Sequence, residues 1–148
     1  MKREKLYIAY GSNMNVAQME RRCPTAKMIA VGEVINYRLR FYGRVGSAVA
    51  TIEKAKGGSV PVLIWKIRPR DEKSLDIYEG YPHLYRKEII DVDVNGELYS
   101  GMVYIMNDNS AFSYNHPSPF YARVIAEGYK DCGLDVRRLY DAISKNRE

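Results

Sequence analysis

The run SVPVLIWKI at residues 59–67 constrains the fold more than any other stretch, because seven of its nine positions are apolar. A strand that is apolar on both faces must be covered on both sides. The run therefore predicts a central strand, with Pro61 near its start, where a proline is tolerated.

Further strands are predicted on either side of this run. They are residues 5–10, residues 27–43 with a bulge or bend at Gly32, the stretch SAVATIEKA, and a hairpin of LYRKEIIDVDV with ELYSGMVYIM. The residues KGG at 56–58 predict a tight turn before the central strand. Asn95 and Gly96 predict the turn of the hairpin, because both residue types accept a positive φ.

Four helices are predicted from periodicity and capping residues. The first, NVAQMERR, has Val16, Met19 and Cys23 on one face, and the second has Asp71 as N-cap and Gly80 after its end. The third begins at Ser118 and Pro119 and stops at Gly133, and the last is capped by Asp135 with Val136, Leu139, Tyr140 and Ile143 inward. About six mostly antiparallel strands with these helices predict an α+β fold, its sheet curled toward a small barrel.

Length and charge exclude several classes of protein. The 148 residues predict a single domain over residues 1–148, and no apolar run approaches the ~20 residues that cross a bilayer. No signal peptide is apparent, so a cytoplasmic protein without membrane contact is expected. The net charge of +5 is scattered in pairs such as Arg21 with Arg22 and Arg38 with Arg40, which favours a solvated surface over nucleic-acid binding.

The cysteines and histidines give no metal-binding pattern. Cys23 and Cys132 lie in predicted helices far apart in sequence, and His83 and His116 share no ligand spacing with them. We therefore expect two ordinary thiols, no metal and no cofactor.

The turn that follows the first strand combines Gly11, Ser12 and Asn13. Gly11 permits a positive φ, and the amides after it lie at the start of a helix, where N–H groups bind a carboxylate or an oxyanion. The alternative is that Asn13 or Asn15 only caps the first helix.

Glu79 is the candidate acid–base residue. It follows Leu75 by four positions and so shares a face with a core residue, and it lies in the last helical turn, where the helix dipole disfavours a carboxylate. Both effects raise its pKa toward neutrality, as a general base requires. An exposed glutamate at a helix end remains the alternative, and Asp76 is either solvent-facing or a second carboxylate.

Three tyrosines, Tyr10, Tyr85 and Tyr121, are candidate hydroxyl donors, and each is equally consistent with a core aromatic. A serine hydrolase is not favoured, because Ser12 stands in Y-G-S-N rather than in G-x-S-x-G.

Several stretches together resemble the γ-glutamylcyclotransferase-like family, including its AIG2-like members. They are YIAYGSNM, VGEVINYRLRF, ATI, LDIYEGYPHLYRK and PSPFYARVIAEGYKDCGL, spread in order from Tyr7 to about Leu134. The combination of Y-G-S-N, L-D-x-x-E-G and P-S-P-x-Y is the specific part. The tight segment GYPHLYR after Glu79 departs from some enzymes of this kind, and it leaves the choice of substrate open.

The resemblance implies a small mixed β-barrel flanked by helices and a metal-free enzyme of the acyltransferase or lyase type. Such enzymes cyclise a γ-glutamyl amide: the α-amine attacks the γ-carbonyl, and 5-oxoproline and an amine or amino acid are released. The implied catalytic residue is Glu79, base and then acid, and the implied substrate-binding residues are Tyr10, Gly11, Ser12, Asn13, Met14, Tyr85 and Tyr121. By family precedent a homodimer is plausible.

Two other functions stay open at this point. The first is a non-catalytic member of the same fold that binds a small anion in the same cavity. The second is a basic nucleic-acid-binding module, which would bind with an affinity that falls steeply with salt.

Overall fold

A computed structural model describes residues 5–147. Within that range the strands are β1 (Lys5–Ala9), β2 (Lys27–Gly43), β3 (Val49–Ile67), β4 (Tyr85–Val94), β5 (Glu97–Met106) and β6 (Ser113–Tyr114). The helices are α1 (Val16–Arg22), α2 (Pro69–Glu79), α3 (Pro119–Asp131) and α4 (Arg137–Ser144), and a 3₁₀ turn covers Ser12–Met14. The charged residues before Lys5 lie outside the described residues.

Five of these strands close into a small barrel. The hydrogen-bonded order is β3-β1-β5-β4-β2, and the pairing of β2 with β3 joins the two ends. The pairing of β1 with β5 is parallel, at Tyr7 and Met102, whereas the other pairings are antiparallel. The predicted fold class, an α+β fold with a small, mixed and mostly antiparallel barrel flanked by helices, is confirmed.

The apolar run at residues 59–67 is the central strand that its composition predicts. It forms the second half of β3, where Leu63 pairs with Ala9 of β1 on one side and with Val31 of β2 on the other. Val62, Leu63 and Ile64 have no exposed surface. This segment therefore anchors the core and fixes the position of β1, whose end leads into the turn at residues 11–13.

The predicted tight turn at residues 56–58 is wrong, because β3 continues through it. The register between β2 and β3 jumps from Ile35 opposite Ser59 to Tyr37 opposite Lys54, so the extra residues form a bulge. Asn36 holds this bulge with a φ of 65°, and its side-chain oxygen accepts a hydrogen bond of 3.0 Å from the Gly57 N–H.

The sequence predicts a bulge or a bend at Gly32; no bulge lies at this residue, which instead marks a close approach between strands. The register shifts of β2 lie between Met28 and Ala30 and between Ile35 and Tyr37. A Cβ at Gly32 would lie 2.7 Å from the carbonyl oxygen of Asp93 in β4. The glycine is therefore needed where β4 crosses close to β2.

The hairpin and two helix ends follow the prediction. Val94 pairs with Glu97 across Asn95 and Gly96, whose φ values are 53° and 90°. The Ser118 hydroxyl accepts the Tyr121 N–H at 3.1 Å and caps α3, and Gly80 ends α2 with a left-handed φ of 66°.

Two other helix ends differ from the prediction. The residue before the first turn of α2 is Arg68, not Asp71. Asp71 lies within that turn, and its carboxylate accepts the backbone N–H of Arg68 at 3.0 Å. In α4 the residue before the first turn is Val136 rather than Asp135, but the Asp135 carboxylate accepts the backbone N–H of Arg137 at 2.9 Å, as a capping residue does. Tyr140 is 45% exposed, whereas Leu139 is fully buried, so the predicted inward position of Tyr140 is wrong.

The scattered basic residues are not all on the surface. Arg40 is 3% exposed, its Nε donates to Asn146 Oδ1 at 3.1 Å, and its guanidinium stacks on the ring of Tyr114. Cys23 and Cys132 are free thiols. Among residues 5–147 no helix is both long and apolar enough to span a bilayer.

Candidate active site

A small cavity lies at the end of the barrel where β1, β3, β4 and β5 meet α2 and α3. Seven predicted site residues line it together: Tyr10, Gly11, Ser12, Asn13, Glu79, Tyr85 and Tyr121. They come from parts of the sequence separated by more than 100 positions, so the fold itself assembles the site.

Met14 is the one predicted site residue that does not line this cavity. It is fully buried, and its backbone lies behind the turn against Gly128 of α3, where a Cβ on Gly128 would lie 2.7 Å from the Met14 carbonyl carbon. Its position is that of a supporting core residue.

Gly11 is required for space rather than for a positive φ. Its φ is −128°, so the predicted left-handed conformation is wrong. A Cβ at this position would lie 3.2 Å from the Cβ of Ala50 and 3.8 Å from the hydroxyl of Tyr121. The absence of a side chain lets the turn approach β3 and α3 and keeps the cavity narrow.

The turn borders the cavity and contains two unused backbone donors among the described residues. Met14 N–H donates to Gly11 O and Asn15 N–H donates to Ser12 O, each at 3.0 Å. Within residues 5–147 the N–H groups of Ser12 and Asn13 donate to no acceptor, as is usual for the first turn of a helix. These two donors are available to a carboxylate or a carbonyl oxygen.

The side chain of Asn13 fixes the turn, and Asn15 is the residue that caps α1. Asn13 Nδ2 donates to the Tyr7 hydroxyl at 2.9 Å, and its Oδ1 accepts from Arg22 Nη1. Its backbone oxygen accepts from the indole N–H of Trp65 at 2.9 Å. The Asn15 side chain accepts the Gln18 N–H at 3.0 Å. Asn13 therefore offers its backbone N–H, not its side chain, to a ligand.

Glu79 is the last residue of α2, and its carboxyl faces the cavity. Burial of the carboxyl raises its pKa from 4.5 to about 7, and the positive charge of Arg22 opposes this rise. A carboxyl with this pKa exchanges a proton readily near neutral pH, as a general base and acid must.

Tyr85 and Tyr121 both bind the main chain of Ala50 in β3. Tyr85 Oη donates to Ala50 O at 2.5 Å, whereas Tyr121 Oη accepts from Ala50 N–H at 3.1 Å. The proton of Tyr85 is thus used within the protein, whereas Tyr121 uses its oxygen on Ala50 and lies beside the Ser12 hydroxyl. Tyr10 resembles Tyr85, because its hydroxyl donates to Tyr104 O at 2.7 Å.

Sequence reasoning missed three residues that line the cavity: Tyr7, Ala50 and Tyr104. Tyr7 and Tyr104 lie in strands and pack edge to face at 5.8 Å, so their pattern resembles that of core aromatics. Tyr104 Oη donates to Asp76 at 2.6 Å, and Asp76 is also paired with Lys87 at 2.9 Å. The Tyr104 hydroxyl therefore lies between Asp76 and the cavity. The spacing Y-x-x-Y-G-S-N could have indicated Tyr7.

The cavity is small. Its volume is about 20 Å³, enough for about one water molecule. The hydroxyls of Ser12 and Tyr78 form a 2.8 Å hydrogen bond beside it, and Tyr78 is 42% exposed. The cavity is smaller than a ligand of amino-acid size, so binding of such a ligand requires lining side chains to move.

Three larger cavities lie on other parts of the barrel, and Glu79 lines none of them. The first, of about 380 Å³, includes Glu53, Arg86 and Tyr114, and the second, of about 370 Å³, includes Arg38, Ser59 and Arg138. The third, of about 220 Å³, includes Glu33 and Asp93. Their charged groups are largely used in ion pairs, such as Arg40 with Glu53 and Arg138 with Glu33. The chemistry of the small cavity makes it the candidate active site.

A family model described as gamma-glutamyl cyclotransferase, AIG2-like, matches residues 7–124. The chain is 30% identical over 142 residues to gamma-glutamylcyclotransferase of Homo sapiens, covering 88% of this chain and 73% of that protein. It is 29% identical over 141 residues to the Bos taurus protein of the same name, again covering 88% and 73%.

Solved structures show the same similarity. A structure named gamma-glutamyl cyclotransferase superposes with a TM-score of 0.85 at 25% identity, covering 99% of this chain and 90% of that one. YkqA of Bacillus subtilis superposes with a TM-score of 0.81 at 20% identity, covering 99% of this chain and 56% of that one, a similarity of fold alone.

Proposed function

Since the chain belongs to the gamma-glutamyl cyclotransferase, AIG2-like family, we propose that it is an enzyme that cyclises a γ-glutamyl amide. The products are 5-oxoproline and a free amine or amino acid. The observation that carries the proposal is a carboxyl with a pKa of about 7, Glu79, in one cavity with the unpartnered amides of Ser12 and Asn13.

In the proposed reaction Glu79 acts first as a base. Its carboxylate accepts a proton from the α-ammonium of the substrate, whose ordinary pKa is near 8, so a carboxylate of pKa about 7 is a suitable acceptor. The amine nitrogen then attacks the γ-carbonyl carbon and closes a five-membered ring. Both groups belong to one molecule, so the protein contributes mainly by holding the substrate curled.

Glu79 then acts as an acid. The attack places negative charge on the γ-carbonyl oxygen, which fixed N–H and O–H donors stabilise. The carbonyl re-forms as the bond to the leaving nitrogen breaks, and that nitrogen takes the proton that Glu79 holds. The ring nitrogen then gives its second proton to Glu79, which passes it to the released amine, so the carboxylate is restored. The bond that forms and the bond that breaks are both C–N bonds, and no metal or cofactor takes part in this scheme.

The donors have different roles in this scheme. The N–H groups of Ser12 and Asn13 bind either the α-carboxylate or the developing oxyanion, and the proton of Tyr121 supplies a further donor. Tyr85 and Tyr10 hold the walls through Ala50 and Tyr104. Entry of the substrate replaces the Ser12–Tyr78 hydrogen bond.

The test is release of 5-oxoproline from γ-glutamyl amino acids, γ-glutamyl amines and other γ-glutamylated metabolites. Glu79→Gln keeps the shape of the side chain but removes the base, so turnover should fall by about 10²–10⁴-fold. Glu72→Gln is the matched control: it removes a carboxylate from the same helix, where Glu72 binds Lys5 and Lys87 instead. Turnover by Glu79→Gln equal to that of the unaltered protein would contradict the mechanism.

The alternative is a non-catalytic member of the fold that binds a small anion at the same amides. It predicts that no compound of the panel releases 5-oxoproline, while some of them still raise the melting temperature. A changed thermal shift in Glu79→Gln, whose side chain lines this cavity, would then assign the binding to it.

A further inference from the structure

Arg22 connects three parts of the candidate site. It is the last residue of α1, and its Nη1 donates to the side-chain oxygen of Asn13 in the turn. Its Nη2 donates to Gln18 Oε1 at 3.0 Å, and its Cζ lies 3.5 Å from the ring centre of Tyr78 in α2. Two amide oxygens thus accept hydrogen bonds from the guanidinium of Arg22, and an aromatic ring packs against its face.

The partners of Arg22 adjoin the residues that the proposed reaction uses. Asn13 carries one of the two available N–H donors, and Tyr78 directly precedes Glu79. Tyr78 also forms the 2.8 Å hydrogen bond with Ser12. One guanidinium therefore spans the gap between the amides and the carboxyl.

These contacts require an arginine rather than any cation. A guanidinium is planar and donates in its plane while its face stacks on an aromatic ring. A lysine ammonium preserves the charge, but it cannot bind two oxygens in one plane and stack at the same time.

We propose that Arg22 is a positioning residue: it holds the turn at residues 11–13 against the end of α2 and thereby fixes the separation between the substrate-binding amides and Glu79. The inference rests on the proposed function, because positioning has meaning here only for a reaction that uses both groups. The inference predicts that catalysis needs the planar geometry of the Arg22 contacts as well as the positive charge.

Arg22 also acts on Glu79 through its charge. The groups that face Glu79 from the packed elements are mostly hydroxyls, namely Tyr7 and Tyr10 near β1, Tyr85 of β4 and Tyr121 of α3. The charge of Arg22 opposes the rise that burial produces in the pKa of Glu79. Loss of that charge should leave the carboxyl protonated to a higher pH.

The experiment compares Arg22→Lys with Arg22→Gln, and uses Arg21→Gln as control, since Arg21 is exposed on the same helix. Each variant is assayed for kcat and KM with the best substrate of the panel. The titration of Glu79 is followed by carbon NMR of its side-chain carboxyl, assigned by its absence in Glu79→Gln.

Arg22→Lys should lower kcat/KM by about 10–100-fold, because a misplaced substrate reacts slowly, while the midpoint of Glu79 stays near its original pH. Arg22→Gln should lower kcat/KM at least as much and also move that midpoint upward. Arg21→Gln should change neither quantity.

Three results would overturn the inference. They are unchanged kinetics in Arg22→Lys, an unchanged Glu79 midpoint in Arg22→Gln, or losses that disappear once each variant is assayed well below its own melting temperature. The proposed function is judged separately by turnover of the unaltered protein, and the NMR titration needs no turnover.

Discussion

Glu79 lies at the end of a helix and against the core, and both positions bear on the energy of its charge. The folded protein holds the Glu79 proton more tightly than the unfolded chain does, because burial raises its pKa from 4.5 to about 7. This contribution to stability is complete below pH 4.5 and is lost as the pH rises through 7. The candidate base therefore weakens the fold at the pH where it is ionised.

Glu79→Gln should become more stable relative to the unaltered protein as the pH rises. We expect the free energy of unfolding of the variant to gain on the order of 1–3 kcal/mol between pH 5 and pH 8, because the amide cannot ionise. Melting temperatures of both proteins at the two pH values measure this difference.

Glu72→Gln supplies a control of opposite sign. Burial alone would raise the pKa of Glu72, but the ammonium groups of Lys87 and Lys5 hold it below its ordinary value. That contribution to stability is present above the ordinary pKa and is lost in acid. Glu72→Gln should therefore lose stability at pH 8, and a shared direction for the two variants would contradict both assignments.

Tyr121→Phe and Tyr85→Phe should separate catalysis from stability. Each removes one hydrogen bond to Ala50, so each should cost about 1–3 kcal/mol in the free energy of unfolding. In the proposed scheme the hydroxyl of Tyr121 donates to the substrate and that of Tyr85 does not, so kcat should fall about 10–100-fold in Tyr121→Phe and less than about 5-fold in Tyr85→Phe. Equal losses of kcat would mean that the tyrosines act only on β3.

At the scale of elements, α3 owes its distance from the turn to Gly128. A Cβ at this position would lie 2.7 Å from Met14 C and 2.8 Å from Asn15 N, both of them backbone atoms. Since α3 also carries Tyr121, capped into place by Ser118, the contact at Gly128 sets how closely that hydroxyl approaches the turn.

Gly128→Ala should push α3 away from the turn. We expect the free energy of unfolding to fall by about 2–4 kcal/mol. We also expect kcat/KM to fall, whereas a methyl group added on the exposed face of α3 would leave it unchanged. Denaturant unfolding and the 5-oxoproline assay measure the two effects. Lys130→Ala, on the exposed side of α3, is the control and should leave both unchanged.

Local chemistry in the sequence predicts most elements but not their register. Asn95 with Gly96 and Ser118 with Pro119 identify a hairpin turn and a helix start, because each acts on its own backbone. Residues 56–58 have the composition of a turn, yet the strand continues, because Asn36 on the neighbouring strand binds Gly57. Asn36 lies 21 positions before Gly57 in the sequence, so a local pattern cannot reveal this contact.

The candidate site was predictable to the same degree. Glu79 and the turn follow from helix position and residue type, together with the family resemblance. Tyr7, Ala50 and Arg22 do not, because their roles come from contacts across elements. The spacing of Arg22 with Arg21 resembles that of an ordinary polar helix face.

At the scale of the whole molecule, the barrel depends on β1, which lies between β3 and β5. A Cβ at Gly101 would lie 2.7 Å from the side chain of Ile8, so a glycine permits the close approach of β5 to β1. Periodicity predicts the strands, but the closure of the barrel was predicted from the resemblance, because pairing of β2 with β3 is not visible in any local pattern.

The net charge of +5 should not lead to nucleic-acid binding. Arg22, Arg40 and Arg138 are used in contacts within the protein, at Asn13, Asn146 and Glu33. We expect no retardation of duplex DNA or single-stranded RNA in gel-shift assays at about 0.1 M salt. Binding that weakens steeply between low and moderate salt would contradict this expectation.

The main chain of Ala50 accepts a hydrogen bond from Tyr85 on its C=O and donates one to Tyr121 from its N–H. Because these groups belong to the main chain, a change of the side chain at position 50 alters the shape of the wall but keeps the N–H and the C=O. Only a substitution of Ala50 by proline would remove the N–H. Most point mutations at position 50 therefore leave these two hydrogen-bonding groups in place. We expect related proteins that differ in substrate choice to differ instead in the surrounding side chains, such as those at Tyr78 and Tyr104.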